Sequence, residues 1–183
     1  MTDNLERLDL TYIETVDDPI AKHLVSSCIR NNFQLSEEFG TFAENLVILD
    51  GSPITLASPK ILFGGRNTLA STEFEINWPK EVVTPSTLFS SNYRELAAHG
   101  YRDCMTSKEV VVEHIECENS TLAGQLPVNY KRVLIPQTNG LGAWFIACYA
   151  FGSSRARYPM ASELSVRFQS ARILENTNLH TPY

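Results

Sequence analysis

Apolar residues change their spacing several times along this chain, and each change predicts an element. Val16-Asp17-Asp18-Pro19 combines an aspartate able to cap free helix amides with a proline suited to a first turn. Behind it Ile20, Leu24 and Cys28, with Ile29 as a further candidate, recur about four residues apart, Ala21 and Val25 widen the stripe, and Lys22 and Arg30 face elsewhere. The spacing predicts a helix with one apolar face. Its neighbour is either the sheet of its own domain or the same helix in a second copy.

The period then shortens. Leu46-Val47-Ile48-Leu49 before Asp50-Gly51-Ser52-Pro53 predicts a buried strand and a tight turn, and Ile61-Leu62-Phe63 before Gly64-Gly65 completes a first hairpin. Thr68 to Pro79 is irregular, and with Pro85 beyond it short helices and loops are expected. From Ser91 to Met105 the helical interval returns through Tyr93, Leu96, Ala97, Tyr101 and Cys104, with Gly100 weakening the run by about 1 kcal/mol relative to alanine. Val110-Val111-Val112, then His114-Ile115, is β-branched and predicts a strand.

Two long apolar runs follow, Tyr130 to Pro136 and Ala143 to Phe151, separated by Thr138-Asn139-Gly140-Leu141-Gly142. Asn-Gly between apolar runs predicts a hairpin, because both residues accept positive φ cheaply. A last amphipathic stretch, Ala161 to Leu174, predicts a C-terminal helix carrying Leu164, Phe168, Ala171 and Leu174 on one side. The order favours an α+β fold in which the early hairpin and the last strands join one antiparallel sheet, with helices across one face.

That order, and Tyr130-x-Arg132-Val133-Leu134-Ile135-Pro136 followed by a turn and Ala143 to Phe151, resembles the PAS domain family, in particular small stand-alone bacterial PAS-like proteins. The resemblance implies five antiparallel strands with helices on one face. It divides the chain into an N-terminal helical extension over residues 1–39, a PAS-like domain over 40–152 and a C-terminal helical tail over 153–183. It also implies a sensory or signalling module that binds a small ligand, a protein partner or both, without catalysis. Flavin photochemistry is not implied, since no Asn-Cys-Arg-Phe-Leu-Gln-type stretch is present and Cys104 sits in Arg102-Asp103-Cys104-Met105. Haem-binding relatives place a histidine on the long helix before the third strand; His99 falls there, but Gly100 follows it and haem is not expected.

Composition narrows the function classes. A net charge of -6 argues against a phosphate-binding role, because nucleic-acid affinity comes largely from clustered lysine and arginine. The charge is uneven, since beyond Ser153 stand Arg155, Arg157, Arg167 and Arg172 against Glu163 and Glu175. A basic tail of this kind either docks a partner or is simply solvated. No apolar run reaches the roughly 18 residues of a membrane span, and Met1 to Leu10 has acids where a leader would be basic and apolar, so a cytoplasmic location is expected. Cys28, Cys104, Cys117 and Cys148 are widely separated, which suits buried thiols rather than disulfides or zinc. No output domain fits beside the core in 183 residues, so a signal would pass to a separate protein.

The motifs of common chemistry are missing. There is no G-x-S-x-G elbow and no phosphate-binding loop, and Gly140-Leu141-Gly142 has Phe145 where a dinucleotide fingerprint needs its third glycine. His23, His99, His114 and His180 form no metal-ligating group along the sequence. Glu113, His114 and Glu116 suggest acid-base work, but strand alternation sends Glu113 and His114 to opposite faces, and an exposed strand face accounts for them.

The candidates to line a small-molecule site are Trp78, Tyr93, Tyr101 and Trp144 with Arg132 as polar anchor, although ordinary core packing accounts for most of the aromatics equally well and Arg132 otherwise marks the solvent face of its strand. Two other readings stand beside the sensor. One is a structural adaptor with a filled core that forms a homodimer through its N-terminal helix, and the other is a small α+β enzyme whose site forms only in space, where His99 or His114 meets carboxylates or a cysteine.

Overall fold

A computed structural model of the chain describes residues 3–52, 59–73, 89–121 and 127–152. Trp78 and the predicted C-terminal helix lie outside them. The strands are β1 (Asn4–Leu8), β2 (Val47–Asp50), β3 (Ile61–Gly64), β4 (Val111–Cys117), β5 (Val128–Thr138) and β6 (Trp144–Phe151). The α-helices among the described residues are α1 (Tyr12–Thr15), α2 (Pro19–Arg30), α3 (Glu37–Thr41), α4 (Leu69–Glu73) and α5 (Ser91–Ser107).

All six strands join one sheet in the order β1-β4-β5-β6-β2-β3, and each neighbouring pair is antiparallel. The early hairpin therefore meets the closing hairpin: Val47 pairs with Cys148 and Asp50 with Phe145. The β5–β6 turn is held by Asn139, whose Oδ1 accepts from the backbone of Leu141 at 2.9 Å and Ala143 at 3.2 Å. Gly140 and Gly142 take φ of 76° and 93° there, as the Asn-Gly signal requires.

Three expectations are corrected. The sheet has six strands rather than five, and the segment before residue 40 is not a helical extension, since its first described element is β1, paired with β4 from Asn4–Glu116 to Leu8–Val112. Asn-Leu-Glu-Arg-Leu carries a weak strand signal because an edge strand buries little; Leu5 and Leu8 alone pack inward. Nor do the helices share one face. Along β5, Val128, Tyr130 and Leu134 point one way and Val133 and Ile135 the other, because successive strand residues alternate. The first set meets Tyr93, Cys104 and Met105 of α5, and the second meets Ala21, Leu24, Val25 and Cys28 of α2. The sheet is thus a middle layer.

The apolar stripe of α2 is consumed by its own sheet, with Ala21, Leu24 and Cys28 fully buried. Of the two neighbours the sequence left open, the structure shows the first, and that stripe is not available for pairing two copies. The helix begins at Pro19, where Asp18 accepts from the Ala21 amide at 2.8 Å and also accepts a hydrogen bond from the Tyr149 hydroxyl at 3.2 Å. One carboxylate therefore fixes both the helix start and its seat on β6. Replacing it in Asp18→Ala should cost about 1–2 kcal/mol in urea unfolding, with Asp18→Asn recovering most of the loss.

Candidate functional site

The long helix α5 is fixed at both ends. Ser90 caps its start by accepting from the Tyr93 amide at 3.2 Å and donates to the Asn119 carbonyl. At the far end Lys108 takes a left-handed φ of 58° and returns its N–H to the Cys104 carbonyl, while its ammonium lies 4.2 Å from the centre of the Trp144 ring. Between these points Tyr93, Ala97, Gly100 and Cys104 face the sheet, and the two small residues let the helix backbone come close.

Beneath them lies a buried ion pair. Glu113 and Arg132 are direct cross-strand partners on β4 and β5, and each side chain is 1% exposed. Arg132 donates to Glu113 Oε2 from Nε at 2.9 Å and from Nη2 at 2.7 Å, and Nη2 also reaches the Ala97 carbonyl at 2.8 Å. Its guanidinium carbon stands 4.6 Å from the Tyr101 ring centre, a cation–π contact. Glu113 Oε1 has no hydrogen-bond partner; it abuts the backbone of Gly100, where an added Cβ would come within 2.4 Å of it and 2.2 Å of Oε2.

The surrounding groups hold their protons. Tyr93 and Tyr130 share a hydroxyl–hydroxyl bond of 2.6 Å, and burial raises both phenols above their ordinary value. Burial likewise raises Tyr101. It pushes the thiols of Cys28 and Cys104 up to about 12 and those of Cys117 and Cys148 up to about 11. None of these residues is a ready nucleophile at neutral pH, because the thiolate is the attacking species.

Of the residues predicted to line a ligand site, Tyr93, Tyr101 and Arg132 are brought together under α5. Trp144 lies at the rim of the same apolar cluster as Tyr101 and Cys148. Arg132, whose orientation the sequence left open, points into the helix-covered side and is engaged there. Two residues of the cluster were misread. Glu113 was expected on an exposed face, yet it stands on the same face as Val111, Ile115 and Cys117, and that shared apolar face was the available signal. Gly100 was read as a weak point in the helix and is instead the close approach that admits the carboxylate.

The two histidines named for an enzyme site, His99 and His114, lie away from this cluster. His99 is exposed on the outer side of α5. His114 lies on the other face of the sheet, away from Glu113 as alternation requires. There its Nε2 is 2.8 Å from Asn129 Oδ1, Asn129 donates to Glu116 Oε1 at 2.7 Å, and Glu6 lies 3.8 Å from Nδ1. His114 thus meets carboxylates, the juxtaposition the enzyme reading asked for. Each ring nitrogen has its own neighbour, however, and the thiols of Cys117 and Cys148 belong to the opposite face. No group of three or more potential metal ligands occurs among the described residues. None of their helices is long and apolar enough to cross a membrane.

Compared with known proteins, the chain matches no family model, no curated protein and no solved structure.

Gly100→Ala should destabilise by about 2 kcal/mol or more in chemical denaturation, although alanine is the better helix former, and the loss should vanish when Glu113→Ala is also present. In alkaline titration the sign is set by the raised thiol values: unfolded thiols ionise near 9.0 and the folded ones only near 11 to 12, so stability falls as pH rises through that window. Correspondingly, a thiol reagent at about pH 7.5 should leave the native protein unlabelled over minutes and label all four cysteines in denaturant.

Proposed function

We propose that this chain is a PAS-like signalling module that acts through protein contacts and carries out no chemistry of its own. Support for the PAS-like part comes from connectivity. Within residues 40–152 the closing hairpin β5–β6 lies between β4 and the early hairpin β2–β3, and a long helix crosses one face of that sheet.

The preference for a protein partner over a small ligand rests on a single observation, the engagement of Arg132 Nε and Nη2 by its own neighbours. A polar anchor in a ligand site presents unsatisfied donors to the incoming molecule. Here Nε and Nη2 are spent on Glu113 and Ala97, and the ring of Tyr101 covers the guanidinium. A small molecule using this anchor would have to replace a buried carboxylate, and separating such a pair costs about 3–5 kcal/mol. The aromatic residues around it read as filled core, which also suits the adaptor interpretation; the two differ in whether the partner contact is switched. A homodimer through the apolar stripe of α2 is not part of this proposal, because that stripe is covered by the sheet.

Native mass spectrometry of the purified chain tests the reading. The expected spectrum shows the bare 20.5 kDa polypeptide. A stoichiometric small-molecule increment that is lost in Arg132→Met would transfer the assignment to ligand sensing.

A further inference from the structure

We infer that the free edge of β3 is a docking strip for an extended segment of another protein, apolar at its centre and acidic at its flanks. The inference rests on the reading of the chain as a protein-contact module and names where the contact is made. β3 ends the sheet order, and among the described residues no element pairs with its outer side. A terminal strand presents a row of backbone donors and acceptors that another strand can satisfy.

The two rims of this sheet are treated differently. β1 is blunted by charge: Arg7 faces Asp103 of α5 at 3.9 Å and Glu6 faces His114. β3 has no charged residue within Ile61-Leu62-Phe63-Gly64, and Leu62 and Phe63 are 45% and 43% exposed. An uncharged strand with exposed large apolar side chains on a free edge is a place where proteins pair.

Charge then selects the occupant. Lys60 and Arg66 bracket the strand, both exposed; the Arg66 side chain is 81% accessible, and among the described residues its ionic neighbour is Glu44, 4.0 Å away. In antiparallel pairing of two copies centred on Leu62 and Phe63, Lys60 of each would lie opposite Gly65, next to the Arg66 of its partner. Like charges at both ends oppose that arrangement. The register shift between Ile48 and Leu49 also bends β3 at Leu62, which hinders a rigid sheet edge but not a flexible peptide. A heterologous segment with carboxylates near both ends meets the basic pair favourably. The four residues of β3 span roughly 13 Å, so the partner needs about four extended residues with its carboxylates beyond both ends.

The probe is a synthetic peptide, acetyl-Glu-Glu-Thr-Val-Ile-Val-Glu-Glu-amide, titrated into the full chain labelled with nitrogen-15. Saturable amide shifts confined to residues 60–66 and slowed exchange at Leu62 and Phe63 are expected. The lysine-flanked counterpart should bind at least about ten-fold more weakly. The exposed substitution Phe63→Asp should abolish binding with the remaining spectrum unchanged, and K60E with R66E should reverse the preference between the peptides. Absence of shifts at millimolar peptide, shifts centred elsewhere, or equal binding of both peptides would overturn the proposal. Those outcomes leave the module reading to its own test, the mass of the isolated chain.

Discussion

A carboxylate and a guanidinium removed from water together organise the helix-covered side of this sheet. Their desolvation is costly, and the attraction between them offsets it only when geometry is close and the remaining donors are satisfied. Close geometry and most of the satisfaction have visible structural sources, while Glu113 Oε1 keeps no hydrogen-bond partner. Direct cross-strand register brings Glu113 and Arg132 side by side, Ala97 lends a carbonyl from the helix, and Tyr101 supplies the electron-rich ring. Gly100 removes the side chain that would otherwise occupy the carboxylate's space. The helix and sheet are thereby matched at one point by polar contacts and elsewhere by apolar packing.

Apolar packing on the two sides is divided between two helices of different character. α2 uses a broad stripe on Val112, Val133, Ile135 and Ala147. α5 uses small residues in its middle and larger ones, Tyr93, Cys104 and Met105, toward its ends. The central strands β5 and β6 are consequently enclosed, and what remains open to other molecules is the outer side of the helices and the two rims. That division is why the edge strands, rather than the sheet faces, distinguish one surface of this protein from another.

The regular elements were legible because local chemistry and tertiary packing agree there. Asp18-Pro19, Asn139-Gly140 and the runs around Val112, Leu134 and Ile146 each specify their structure with few residues. β1 was not legible, since two inward leucines among polar neighbours do not distinguish an edge strand from a loop. The site was half legible. Tyr93, Tyr101 and Arg132 were grouped as aromatics around a polar anchor, but their carboxylate partner was not, because a glutamate on a strand is normally solvated and its burial depends on an arginine about twenty residues away in sequence. Placement of α2 across the sheet from α5 had no sequence signal: an amphipathic stripe states that a face is buried, not which side of the sheet buries it.

Alternation along β5 carries one more implication. Tyr130, Arg132 and Leu134 share a side with α5, and Val133 and Ile135 share the other with α2. Sliding β5 past β4 by a single position would carry the guanidinium across the sheet, into the hydrocarbon beneath α2, and strand the carboxylate without a counter-ion. An all-apolar pair of strands tolerates such slippage far more readily. The two charges therefore act as a key that fits only one alignment, making mispaired chains during folding expensive enough to be discarded.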